Sequence, residues 1–402
     1  MIFGFAESNF LNTYLVHVLG LTELHVAIMV SLSAAMGLIF LLVWGIISDN
    51  TRSKYGRRRP FLLLGGIISG IAMIIYAFST NFYWALFLDV VIIGIFSNTY
   101  FAAERALVPD TFEPELRGRA NGIIQSFSNL GILVAVAVFL VSYEIFAIDN
   151  PSGSGTILTQ EGHLFVLGIG GIGFILCGII GFVFIKEKPV SELPPKKKFI
   201  AELKDIIDIE EFKKHKEFYK ITLAYLIFQC GIGSILPFLF IFLFSLGLTT
   251  LELLSAIGIG FPILIFVTLI LGKMADKHGR KKYVPVSIII ISIGVFLTIF
   301  VQTSAGVNLL LLFITLPFIL VAILGVRTLL DTWAQDLLPE DKRGKFFGIL
   351  NIVFTVSQII GALLAGLIAT IYGLPWIFAL GTVFFLVSIL FFLRVKETLV
   401  VK

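Results

Sequence analysis

Apolar runs of about 20 residues follow one another along the whole of this 402-residue chain, parted by short polar connections. A run of that length crosses the ~30 Å hydrocarbon layer of a bilayer as an α-helix, with its backbone N–H and C=O groups satisfied inside the segment. Twelve such runs can be placed, at 2 to 20, 26 to 47, 61 to 79, 83 to 106, 121 to 143, 164 to 185, 219 to 246, 251 to 272, 284 to 303, 307 to 331, 346 to 371 and 374 to 394. The reading is an all-α, multi-pass integral membrane protein. The composition agrees, since 58% hydrophobic and 14% charged residues do not suit a soluble globule.

The charges that interrupt the runs occur twice, in the same order. Gly45-Ile-Ile-Ser-Asp49 leads to Gly56-Arg57-Arg58-Arg59-Pro60, and Gly272-Lys-Met-Ala-Asp276 leads to Gly279-Arg280-Lys281-Lys282. Further on, Asp110 precedes Arg117-Gly118 by seven residues, as Asp336 precedes Arg343-Gly344. The copies are offset by about 226 residues, apart from four extra residues in the first basic loop. A repeat of charged motifs on this scale means two copies of one six-helix unit. The expected domains are 1–185, a connection 186–218, and 219–402.

Lys and Arg occupy alternate connections: Arg52 to Arg59, Arg117 with Arg119, Lys186 to Lys220, Lys273 to Lys282, and Lys342 to Lys345. Retention of cations on the inner side places these connections and both termini in the cytoplasm of a cell or plasma membrane, with Glu144 to His163 outside. The net charge of +4 then reflects topology, and no nucleic-acid partner is expected. The first run starts almost at Met1 with no basic residue ahead of it, the pattern of a retained helix that is short at its start. In the connection, Pro189, Pro194 and Pro195 precede Lys196, and Phe199, Leu203, Ile206, Ile207 and Phe212 recur at helical spacing, which predicts an amphipathic helix on the membrane surface. Cys177 and Cys230 lie within apolar runs and read as small buried hydrophobes with no disulfide.

Gly168-Ile-Gly170-Gly171-Ile172-Gly173 has the glycine spacing of a dinucleotide loop, but lies within a membrane run with no strand before it, so close helix packing is the better reading. No phosphate-binding lysine loop, zinc-binding histidine pair or serine elbow is present. The sequence predicts no enzyme, no catalytic residue, no cofactor and no metal.

Two six-helix repeats, each with Gly-x-x-x-Asp and then a glycine followed by cations after its second helix, resemble the major facilitator superfamily, in which such repeats are nested. Gly56-Arg57-Arg58-Arg59-Pro60-Phe61, Asn98 seven residues before Arg105-Ala106-Leu107, Asp110, and Phe3-Gly4-Phe5-Ala6 with Tyr14 resemble the glycoside-pentoside-hexuronide symporters, especially their sucrose-transporter-like branch. That resemblance implies a symporter moving a sugar or glycoside by alternating access, driven by H+ or Na+, acting as a monomer in the lipid bilayer. One departure stands out. The branch places an acid eleven positions before the helix-4 arginine, where this chain has Gly94, and Asp89 is the nearest acid.

Ionisable groups inside a bilayer are costly unless paired or wetted, and they mark functional sites. Here they are Glu7, Asp89, Glu104, Arg105, Arg327 and Asp331. Glu7, Asp89, Glu104 and Asp331 are the candidate proton carriers. Helical spacing places Asn98 and Arg105 on one face of helix 4 and Asp89 across from them, and the family pattern favours the Asn98 and Arg105 face for the substrate. Gln125 with Asn129 on helix 5, and Asn351, Thr355 and Gln358 on helix 11, form matched amide and hydroxyl stripes suited to a polyhydroxylated solute. Tyr14 and Gln229 complete the expected substrate contacts, and the structural alternative is hydrogen bonding between helices. The expected cytoplasmic gate comprises Gly45, Asp49, Gly56, Arg57, Arg58, Asp110, Arg117, Gly272, Asp276, Gly279, Arg280, Arg327, Asp336 and Arg343. In it, Asp49 and Asp276 are expected to reach helices 11 and 5. Three function classes remain: a proton-coupled sugar carrier, a proton-coupled exporter of amphipathic compounds, and a membrane receptor without transport.

Overall fold

The computed structural model describes residues 1–151, 153–187, 196, 215–303, 306–337 and 343–397, with backbone alone at 114, 115, 276, 278, 328, 335 and 343–348. Among them twelve helical stretches occur in order. The first six are α1 (Ile2–His17), α2 (Glu23–Asn50), α3 (Arg59–Tyr76), α4 (Phe82–Thr111), α5 (Pro114–Phe146) and α6 (Gln160–Phe184). The second six are α7 (Lys216–Ser245), α8 (Thr250–His278), α9 (Arg280–Phe300), α10 (Leu309 to Asp336), α11 (Arg343–Tyr372) and α12 (Trp376–Phe392). Ten are long and apolar enough to cross a membrane. The other two, α1 with 16 residues and α12 with 17, are shorter than the usual span. The helices after the basic loops run further than expected, with α5 starting at Pro114 instead of 121.

The chain divides into two compact units, Met1–Pro151 with Thr156–Lys204, and Ser152–Gly155 with Asp205–Lys402. The amphipathic helix expected over Phe199 to Phe212 lies outside the described residues. Large apolar side chains such as Phe127, Phe184 and Leu251 stand exposed, as a lipid-facing surface requires. Inside each unit, buried hydroxyls turn back on their own helices: Thr99 donates to the Ile95 carbonyl at 3.1 Å in the first and Ser292 to the Ile288 carbonyl at 2.6 Å in the second.

Glycine decides how α3 and α6 meet. A Cβ on Gly70 would stand 2.5 Å from the Gly171 carbonyl oxygen, one on Gly171 2.5 Å from that of Gly70, and one on Gly66 2.8 Å from the Gly178 Cα. The two backbones therefore touch along a seam that only hydrogen side chains permit. The rejected dinucleotide motif supplies Gly171, and its neighbour Gly170 packs on Ala6 and Met73.

The fourth helix of each unit contains a π turn, Phe87–Ile93 in α4 and Val321–Val326 in α10. Such turns often occur at functional sites. Two short hairpins close connections between helices, β1 (Ala147–Asp149) with β2 (Thr156–Leu158) and β3 (Gln302–Thr303) with β4 (Gly306–Val307). Cys230 is buried as expected, whereas Cys177 is exposed on α6.

Candidate functional site

The basic loop of the first unit is a closed ionic cluster. Gly56 adopts φ +112°, a conformation open to glycine, and this turns the following residues onto α3. Arg57 is buried and grips Asp110 with one nitrogen, at 2.9 and 2.8 Å to its two oxygens. Its nearest contact to Asp49 is 3.3 Å. Arg58, also buried, donates through Nε to Asp110 at 3.0 Å and pairs with Asp49 and Ser48 through its terminal nitrogens. Two carboxylates from the ends of α2 and α4 thus neutralise two guanidiniums at the start of α3. Asp49 is thus engaged by its own loop.

A third carboxylate was missed from the sequence. Glu187, three residues past α6, accepts the backbone N–H groups of Arg57 at 2.6 Å, Arg58 at 2.9 Å and Arg59 at 2.8 Å. These are the unpaired donors at a helix N-terminus, where an anion is favoured by the helix dipole as well. A Cβ on Gly56 would stand 2.7 Å from the Glu187 carboxylate, so the glycine also makes room for the cap.

The second unit repeats this plan. Gly279 has φ +95°, Arg280 pairs with Asp336, and Glu397 accepts the backbone N–H of Lys281 at 2.8 Å. Lys186-Glu187 and Lys396-Glu397 come after α6 and α12, and this recurring pair was the available signal. Gly45 and Gly272 have open space around them. Arg117 ties α5 to the end of α4 by donating to the carbonyls of Phe112 at 3.1 Å and Pro109 at 3.0 Å. The side chains of Asp276 and Arg343 lie outside the described residues.

Within the first unit, two carboxyl groups on different helices fall within electrostatic reach of each other. Asp89, buried in the π turn of α4, lies within electrostatic reach of Glu7 on α1. The helical wheel had set Asp89 apart from the favoured face. Asn98 donates to the Gly94 carbonyl at 2.8 Å, and its Nδ2 lies 3.4 Å from the Cβ position of Gly37 on α2. Glu104 and Arg105 are both exposed. Tyr14 departs from its expected role as a ligand: it is fully buried, and its hydroxyl donates to the carbonyls of Ala77 at 3.0 Å and Ser79 at 2.9 Å. That bond serves to close the end of α3.

The amide stripes partly satisfy themselves. Gln125 donates to the Asn129 side chain at 3.1 Å on an exposed face of α5, and Thr355 donates to the Asn351 carbonyl at 3.1 Å on α11. Gln358 is half-buried beside Gly233.

In the second unit the sequence reading missed Tyr225. This buried α7 side chain donates its hydroxyl to Asp331 of α10 at 2.7 Å, and Gln229 lies within hydrogen-bonding reach of it one turn further on. Arg327, assigned in advance to the cytoplasmic gate, instead belongs to this group, 3.9 Å from Asp331 and 5.0 Å from the centre of the Phe354 ring.

Helical repeats, paired basic loops and ionisable groups held inside apolar helices define a multi-pass integral membrane protein. The sequence model of the Major Facilitator Superfamily matches residues 1–326 and 259–401, and the chain belongs to that superfamily. Over 265 residues it is 28% identical to the multidrug resistance efflux pump PmrA of Streptococcus pneumoniae, covering 64% of this chain and 59% of the pump, so the chain spans less than two thirds of that relative's length. It is 31% identical over 216 residues to the sucrose transport protein SUC3 of Arabidopsis thaliana, covering 48% of this chain and 36% of that protein. Its fold superposes on a variant of the nucleoside transporter NupG with a TM-score of 0.71, covering 98% of each chain at 14% identity.

Proposed function

We propose that this chain is a secondary active transporter that moves a sugar or glycoside by alternating access, coupled to a proton gradient, as a monomer with both termini cytoplasmic. The observation that carries the reading is a carboxyl, Asp89, buried in the π turn of an apolar helix of the first unit and within electrostatic reach of Glu7 on α1. Paired intramembrane carboxyls suit a proton relay, because a proton taken up by one cancels a charge facing the other. The amides Gln125, Asn129, Asn351 and Gln358 supply the donors and acceptors that a polyhydroxylated solute needs. The test is uptake of radiolabelled sucrose and methyl-glucoside by proteoliposomes under an imposed inward proton gradient. Accumulation that collapses with a protonophore is expected; accumulation indifferent to it removes the proton from the mechanism.

A second reading, proton-coupled export of amphipathic compounds, has its own support. PmrA is described as a multidrug efflux pump. The first unit also holds an apolar cleft of 380 Å³ whose lining includes Phe3, Ile123, Ile124, Phe127 and Phe174. Such a lining favours greasy aromatic ligands over sugars. Efflux of a fluorescent lipophilic cation from loaded vesicles, with no uptake of either sugar, would select this reading over the first.

A further inference from the structure

A guanidinium in a membrane-spanning helix must find hydrogen-bond acceptors or water. Arg327 makes no hydrogen bond among the described residues, and its ion pair with Asp331 is a long one. Its nearest carboxylate oxygen, on Asp331, is 3.9 Å away, and its side chain is 49% exposed. Asp331 is held back by the Tyr225 hydroxyl at 2.7 Å. Tyr225 itself is fully buried and packs edge-on against Phe354, with ring centres 4.9 Å apart. Phe354 in turn lies 5.0 Å from the guanidinium carbon. Residues of α7, α10 and α11 therefore fix a cation in place while its fork of N–H donors is unused.

Arg327 also lies deep. It precedes Asp336, the partner of Arg280 at the basic loop, by nine residues, or about 13 Å of helix rise. That distance removes it from the headgroup layer on that side. A planar fork of donors matches the two oxygens of a carboxylate and binds them side by side. The remaining lone pairs of Asp331, already oriented by Tyr225, accept a hydroxyl of the same molecule.

We propose that the second unit recognises its solute through an anionic group, a carboxylate seated on Arg327, with Asp331 and Tyr225 positioning an adjacent hydroxyl. The inference rests on the transporter reading above and narrows its solute from a neutral sugar to a hydroxylated acid. Purified full-length protein is heated with one of four soluble probes at matched ionic strength, D-glucuronate, D-glucose, benzoate and benzamide, and in a separate arm with added phosphatidylglycerol. Glucuronate should raise the unfolding midpoint by at least about 2 °C over glucose, because a ligand specific to the folded state stabilises it by mass action. Arg327→Gln should abolish that shift without lowering the midpoint of the unliganded protein, and Arg327→Lys should keep part of it.

Glucose acting as strongly as glucuronate overturns the anionic site and leaves the sugar carrier standing. Benzoate acting where benzamide and both sugars do not supports the anionic site and overturns the sugar carrier. Silence from all four probes overturns the site. An Arg327-dependent rise given by phosphatidylglycerol but by neither acid also overturns it, by assigning the cation to a lipid headgroup. If Arg327→Gln fails to fold, the contrast between each acid and its neutral counterpart in the unaltered protein decides.

Discussion

Glu397 lies 116 positions after Lys281, yet its carboxylate accepts the Lys281 backbone N–H at 2.8 Å. Glu187 makes the corresponding contact with the start of α3. In each unit the segment just past the last helix thus supplies the anion that caps the third. Hydrogen bonds to a charged acceptor contribute more than neutral ones, and three converge on Glu187.

Glu187→Ala should therefore lower stability by about 2 kcal/mol, with Glu187→Gln in between because an amide oxygen still accepts. Thermal unfolding in detergent micelles measures both. An alanine variant as stable as the parent would show that water replaces the cap at no cost.

Asp110 accepts three hydrogen bonds from two nitrogens, one on Arg57 and one on Arg58, whereas Asp49 is the more exposed partner. Asp110→Asn should cost ~2 kcal/mol by stripping two buried guanidiniums of their shared charge, and Asp49→Asn less. Transport should slow in both variants. Equal losses of stability would contradict the geometry of the cluster.

Asp89→Asn preserves size and removes one of the two neighbouring carboxyls. Under the proposed mechanism it should abolish gradient-driven accumulation in proteoliposomes while leaving exchange of labelled for unlabelled solute across the bilayer. Accumulation at the parental level would release Asp89 from coupling.

Gly171→Val places branched carbon against the Gly70 carbonyl, where even a methyl would stand at 2.5 Å. The helices must part, at a cost of about 3 kcal/mol or more. A fall in the unfolding midpoint is expected, while Gly168→Ala, with open space around it, should be neutral.

Orientation is checked by single cysteines at Ser154 and Lys197 in a background without Cys177 and Cys230. An impermeant maleimide applied to sealed cells should label the first and spare the second. The reverse pattern would invert the proposed topology.

The repeated basic loops were legible in the sequence because charges inside a strongly apolar chain have few explanations and occur twice in register. Glu187 and Glu397 were overlooked although Lys-Glu recurs after both α6 and α12. Tyr225 looks like any aromatic residue of an apolar run, and its pairing with Asp331 depends on how two helices are set against each other, which periodicity cannot specify. The approach of Asp89 to Glu7 was hidden for a different reason. A wheel drawn at 3.6 residues per turn assumes an uninterrupted α-helix, and α4 passes through a π turn between Phe87 and Ile93. Each extra residue in such a turn rotates the remainder of the helix by roughly 100°, so the position that an uninterrupted wheel gives Asp89 relative to Asn98 and Arg105 does not hold.

The glycine seam between α3 and α6 has a mechanical consequence. With main chain against main chain there is no side chain to flex, so displacing one helix along the other meets hard contact at once. The Glu187 clasp closes the same pair at its basic end. A force applied to the connection beginning at the next residue is therefore delivered straight to the base of α3, as through a short stiff harness.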